Sequence, residues 1–198
     1  MKKKNTRFIA VTAMLSAVAF VLQYLEIPIP IMPPFIKLDL SDLPALIGSF
    51  SMGPLSGVLI CLIKNILHMP LSSSGCIGEL SNFLLGAAFV LPAGLIYKYK
   101  KTKAAAIWSS LLGAVTMAVL SVPINYCVVY PVYIKLFFNG STEACVELYQ
   151  LILPSVDGLL ECLLVFNMPF TLVKALISVV ITVLVYKKLS PILKGAKK

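Results

Sequence analysis

Apolar residues run along this chain in long blocks, separated by short polar segments. The first block, Phe8 to Leu25, is long enough to span a bilayer as a helix. Ile27 to Asp42 follows, with prolines at positions 28, 30, 33 and 34. Prolines at that density forbid a helix, because each lacks an N–H and its ring clashes with the turn before it. The segment nonetheless stays apolar, carrying Ile29, Ile31, Met32, Phe35, Ile36, Leu38 and Leu40. An apolar irregular segment is predicted to fold back over the membrane-embedded part, as a cap or a re-entrant loop.

Asp39-Leu40-Ser41-Asp42 opens the next helix, with Ser41 or Asp42 as N-cap and Pro44 in the first turn. The apolar run continues to Leu67 and is interrupted at Gly53-Pro54. A chain reversal there gives two elements, 42–51 and 54–68. The first would be roughly 15 Å long, too short to cross alone. Met69–Gly78 is a polar loop rich in Ser and Gly, and Glu79–Tyr97 is the fourth helix. Ala104–Lys135 is the fifth. It would reach roughly 48 Å, against a hydrocarbon core of roughly 30 Å, so it must tilt, kink or protrude. Pro123 and Pro131 offer kinks. Phe138–Glu161 is acidic, with a short helical run from Thr142 to Leu153, and Cys162–Tyr186 is the last helix. The expected fold is an all-α integral membrane protein, one domain over 1–198, with six membrane elements.

Charge orients it. Of 17 basic residues, 13 lie in Lys2–Arg7, Lys98–Lys103 and Lys187–Lys198, and all 8 acidic residues lie elsewhere. Cytoplasmic loops collect Lys and Arg. Both termini and the 98–103 loop are therefore expected in the cytoplasm, with the first long loop outside. Splitting 42–68 in two is what keeps the 98–103 loop on that side. A charged fraction of 13% and a net charge of +9 fit a membrane protein rather than a nucleic-acid binder, because no basic stripe carries interleaved aromatics. Residues 2–19 have the outline of a signal peptide, but the apolar run continues to Leu25, so an uncleaved first helix is expected.

The chemistry is sparse. Five cysteines show no metal or redox spacing, and no GxxxxGK[ST], HExxH or GxSxG occurs. No metal site, no cofactor and no enzymatic activity are expected. Ionisable residues inside a membrane are costly and mark function by default. Lys37, Lys64, Lys135 and Lys174 lie outside the basic blocks, and Lys174 sits well inside the last span. Its cation needs an acid, backbone carbonyls or a ligand. Lys64 near the end of the third element could snorkel outward with His68. Asn125 follows Pro123 and can donate and accept at once, as a ligand edge of alternating carbonyl and N–H groups requires. Asn167 lies on the face of Lys174. Ser81 and Asn82 open helix four toward the same outer cavity, while Glu79 complements the helix dipole. Ala13 and Ala17 form a small-xxx-small pair suited to close helix approach. Trp108 falls near the cytoplasmic end, where aromatic belts form.

The stretch Phe35-Ile36-Lys37-Leu38-Asp39-Leu40-Ser41-Asp42-Leu43-Pro44-Ala45, with Gly53-Pro54 and Lys64-Asn65, resembles the riboflavin-specific S components of energy-coupling factor (ECF) transporters. So do Gly78-Glu79-Leu80-Ser81-Asn82-Phe83, Asn125-Tyr126 with Pro131-Val132-Tyr133, and the Lys174 region. The resemblance covers essentially the whole chain. It implies a six-helix protein of the bacterial cell membrane that takes riboflavin from outside and docks on a transmembrane coupling subunit driven by two cytoplasmic ATPases. It implies substrate contacts at Leu40, Ser41, Pro44, Ala45, Ser81, Asn82, Asn125 and Lys174, and docking through Ala13 and Ala17. The first loop would close over the ligand. An S component for another small nutrient, or a self-sufficient secondary transporter, is the alternative.

Overall fold

The computed structural model describes residues 2–194, with side chains over residues 5–185. Helix α1 (Lys2–Tyr24) begins six residues before the expected start, because the basic block joins the helix; lysine is a good helix former and costs nothing there. Helices α2 (Asp42–Met52) and α3 (Pro54–His68) meet at Gly53, whose φ of 108° lies in the range that favours glycine. Pro54 then starts α3 at the position where a missing N–H goes unfelt. The chain thus reverses where the sequence predicts.

Helix α4 (Ile77–Tyr99) starts two residues early, and α5 (Lys103–Ile124) is capped by Thr102, whose Oγ1 accepts from Ala105 N at 3.1 Å. Next, α5 runs through a π-helical turn (Asn125–Val129) into α6 (Tyr130–Phe137), making one apolar helix of 35 residues. Helix α7 (Thr142–Gln150) stops short of the expected Leu153, with Pro154 ahead of it. Helix α8 (Leu159–Cys162), a second π turn (Leu163–Asn167) and α9 (Met168–Lys194) again run on as one rod. That rod overshoots the expected end at Tyr186.

Among the described residues, five helices are long and apolar enough to cross a membrane, and α2, at 11 residues, is not one of them. Their outer faces are apolar: Met14, Trp108, Val119, Val180 and Leu184 are all exposed. Polar side chains such as Ser56, Ser110 and Thr182 are buried instead. That inversion suits a bundle whose solvent is lipid.

The expectation of a purely helical chain needs one correction. The proline-rich loop pairs Ile27 with Leu38 and Pro28 with Lys37 as a small antiparallel hairpin, β1 (Ile27–Pro28) and β2 (Lys37–Leu38). Turns close it at Ile29–Met32 and Pro33–Ile36. Backbone amides beside a membrane need partners, and a hairpin supplies them where prolines forbid a helix.

Packing forms two apolar clusters. One joins α1 to α5 and α9 around Leu46, Ile60, Phe89, Val90, Met117 and Ala175. The other gathers Ile77, Tyr130, Ile134, Cys145, Tyr149 and Leu163 around α6 to α8. Helices α4 and α5 touch closely at Gly113, where an added Cβ would stand 2.6 Å from the Phe89 carbonyl oxygen.

Candidate ligand-binding site

A cavity lies between the two clusters. The proline-rich loop contributes Phe35, Ile36, Lys37 and Asp39 to its wall, and α4 contributes Ser81, Asn82 and Leu85. Met117, Asn125, Tyr130, Tyr133, Asn167, Thr171 and Lys174 complete the inner side.

Both π turns shape it. Tyr130 N–H bonds back to Asn125 O, and Met168 N–H to Leu163 O. Each wide turn is followed, after one intervening residue, by a proline, Pro131 or Pro169. A proline ring cannot sit over the carbonyl four residues back, and a widened turn relieves that clash. The insertions carry Asn125 and Asn167 into the cavity wall. Turns of this kind often occur at functional sites.

Four of the expected substrate contacts come together. Lys174 Nζ donates to Asn82 Oδ1 at 3.3 Å and to Asp39 Oδ2 at 2.8 Å. Ser81 Oγ donates to Asn125 Oδ1 at 3.2 Å. The other four, Leu40, Ser41, Pro44 and Ala45, do not line the cavity. Pro44 and Ala45 are buried inside the α2 packing. Ser41 stands at the N-cap position without making the capping bond; its hydroxyl donates to Asp39 and accepts from Lys64 instead. The Lys64 ammonium takes the hydroxyl oxygen that a capping backbone N–H would otherwise use.

Lys64 does not snorkel. It is fully buried and donates to Asp42 Oδ1 at 2.7 Å. His68 is also buried, with Nδ1 2.8 Å from Glu79 Oε1. Glu79 does more than complement a helix dipole: its Oε2 accepts from Ser72 at 2.7 Å and from Ser74 at 3.3 Å, organising the rim loop. Asn65 Oδ1 accepts from Gln23 at 3.0 Å, joining α1 to α3. Asn167 shares a closed set of hydrogen bonds with two tyrosines. Tyr149 donates to its Oδ1 at 2.8 Å, its Nδ2 donates to Tyr130 at 2.9 Å, and the two hydroxyls bond each other.

Asp39, Tyr130 and Tyr133 have no site role legible in the sequence, and Phe35 is legible there only as part of the apolar cap. Asp39 was legible only as part of a helix start, although a buried lysine demands an acid. Burial alone would push its carboxyl up. The ammonium groups of Lys174 and Lys64, with hydrogen bonds from Lys174 and Ser41, outweigh that and hold it well below the ordinary carboxylate range. Phe35 plugs the loop into an aromatic nest, with ring centroids 4.9 Å from Tyr133 and 6.2 Å from Tyr130. At the loop's base, Lys37 pairs with Glu26. Trp108 is exposed on α5, away from the cavity. Among the described residues, no three His, Cys, Asp or Glu side chains converge for a metal ion.

Residues 7–186 match the family described as ECF transporter, substrate-specific component. The chain is 33% identical over 193 residues to the riboflavin transporter RibU of Staphylococcus aureus (strain TCH60), covering 97% of this chain and 94% of that one. It is 30% identical over 187 residues to the riboflavin transporter FmnP of Bacillus subtilis (strain 168), covering 92% of each. A solved structure described as the S component of a bacterial ECF transporter superposes with a TM-score of 0.73 at 31% identity, over 96% of this chain and 99% of that one.

Proposed function

The chain belongs to the family of substrate-specific components of ECF transporters, and we propose that it captures riboflavin outside the cell and delivers it for import. It is a multi-pass protein of the bacterial membrane, a transport protein and not an enzyme. Riboflavin is its transported ligand rather than a cofactor. Import is driven by ATP through a transmembrane coupling subunit and two cytoplasmic ATPases.

Six elements make up the membrane domain: α1, α2, α3, α4, the α5–α6 rod and the α8–α9 rod. Both termini are cytoplasmic, because the basic blocks at 2–7, 98–103 and 187–198 then share one side. The hairpin loop lies outside and caps the cavity.

The observation that carries this reading is the convergence of Lys174, Asn82, Ser81 and Asn125 on one cavity beneath an aromatic cap. Riboflavin has an apolar tricycle, an edge of alternating carbonyl and N–H groups, and a polyhydroxyl tail. Lys174 donates to a ring carbonyl, and Asn125 pairs with the N–H and its neighbouring carbonyl. Phe35, Tyr130, Tyr133, Leu85 and Met117 supply apolar surface for the ring. Ser81 and the rim loop around Glu79 meet the hydroxyls. Leu40, Ser41, Pro44 and Ala45 act from behind the cavity wall, by fixing where Asp39 stands. Ala13 and Ala17 are exposed on α1 and form the docking stripe for the coupling subunit.

The test is the visible absorbance of detergent-purified protein from cells grown with riboflavin. A flavin spectrum, released on denaturation at near one ligand per chain, is expected. A colourless protein that also leaves the fluorescence of added riboflavin unquenched overturns the substrate.

A further inference from the structure

Behind the cavity wall, five side chains close a ring. Lys174 Nζ lies 2.8 Å from Asp39 Oδ2, Asp39 Oδ1 accepts from the Ser41 hydroxyl, and Ser41 accepts from Lys64. Lys64 then meets Asp42 Oδ1 at 2.7 Å, and Asp42 Oδ2 faces Lys174 Nζ at 3.7 Å. Two lysines and two aspartates balance in charge. All five side chains are buried, Lys64, Ser41 and Asp42 completely.

The ring is uneven. Asp39 belongs to the cap, whereas Asp42 is fixed in α2. Asp39 and Lys174 line the cavity; Asp42 and Lys64 do not. Asp42 Oδ2 is buried and accepts no hydrogen bond among the described residues, though it lies 3.7 Å from the Lys174 ammonium. Gly86 on α4 leaves room for this carboxylate, since a Cβ there would stand 3.1 Å from Asp42 Oδ1. A ligand that draws on Lys174, or a cap that lifts Asp39 away, would leave a buried ammonium without its partner. Such an ion is strongly unfavourable.

We propose that Asp42, held in place by Lys64, is a positioning residue for Lys174: it is the standing counter-ion that holds the ammonium at the cavity wall when Asp39 gives it up. Lys64 fixes one carboxylate oxygen and leaves the other for Lys174. Lys174 thus has two acids in reach, Asp39 on the cap loop at 2.8 Å and Asp42 on α2 at 3.7 Å. This inference rests on the riboflavin reading, and the unmodified protein tests that reading separately, by quenching riboflavin fluorescence or failing to.

The experiment is a cycle of riboflavin titrations on the full chain in detergent. Its corners are the unmodified protein, Asp39→Asn, the charge-balanced pair Lys64→Met with Asp42→Asn, and all three together, with Lys174→Met as reference. Redundant counter-ions predict that Asp39→Asn weakens binding no more than about fivefold, while Lys174→Met costs tenfold or more. The triple variant should fall to the level of Lys174→Met, by more than the product of the two separate losses. Losses that simply multiply, or an Asp39→Asn variant as weak as Lys174→Met, overturn the proposal. The Asp39→Asn comparison alters only the cap, so it decides the matter even where the α2–α3 pair cannot be removed without loss of folding.

Discussion

Lys174 is the residue on which the proposed binding turns, and its surroundings set what losing it should cost. Replacing it with Met removes a charged hydrogen bond, a loss of about 1.5–3 kcal/mol of riboflavin affinity. The chain should still fold, because Lys64 remains beside both acids. Fluorescence titration measures the loss, and unchanged affinity would take Lys174 out of the site. The Asp39 carboxyl carries a pH signature of its own. Its acidity is raised in the folded protein, so the free energy it contributes is complete above the unfolded carboxylate pKa near 3.9 and is lost as pH falls below it. The difference in affinity between the unmodified protein and Asp39→Asn should therefore stay constant from pH 7 to pH 5. A difference that shrinks across that interval would show Asp39 titrating near neutrality, which the two flanking ammonium groups oppose. Lys174, Asn82, Ser81 and Asn125 could be read from the sequence because polar groups within apolar runs stand out. Asp39 and Lys64 could not be assigned, because sequence shows that a buried charge needs a partner without showing which one.

Among the elements, the helices were legible and their irregularities were not. Gly53-Pro54 announced the α2–α3 reversal through two residues with fixed conformational needs. The π turns left no such mark. Pro123 and Pro131 signalled a disturbance, but a kink and a widened turn look alike in sequence, and only the widened turn brings Asn125 into the wall. The hairpin was hidden because it pairs only two residues on each side. Its hold on the bundle is aromatic, so Phe35→Ala should loosen the cap and speed riboflavin release, with a smaller effect on association. Stopped-flow dissociation measures this, and an unaltered release rate would mean that Asp39 alone holds the cap. Helix packing gives a separate expectation. Gly113→Ala forces a Cβ against a backbone carbonyl of α4, and such overpacking costs about 1–3 kcal/mol. Gly158→Ala meets no atom within 4 Å and is the matched control. Thermal denaturation in detergent should separate the two, and equal melting temperatures would mean that α5 shifts freely.

For the whole molecule, the decisive contrast is between the two faces of α1. Its inner face is polar and committed: Thr12 Oγ1 and Ser56 Oγ lie 2.8 Å apart, and Gln23 donates to Asn65 at 3.0 Å. The outer face exposes Ala13, Ala17, Met14, Val18 and Val21. Small residues four apart let a second helix approach closely, and lipid gains nothing from that smoothness. A chain that only binds must pass its ligand to a partner, and this stripe is the contact we propose for it. Ala13→Leu adds bulk on the stripe without touching the cavity. It should reduce co-purification of the coupling subunit and ATP-dependent riboflavin uptake in reconstituted vesicles, while riboflavin quenching stays as it was. Met14→Leu, on the same exposed face but off the stripe, should leave all three unchanged. If quenching fell with Ala13→Leu, α1 would be a support of the cavity rather than a docking surface. If co-purification held, the partner would have to meet another face. Vesicles carrying this chain alone should take up no riboflavin down an ion gradient, because a protein that hands its ligand on has no route to release it by itself.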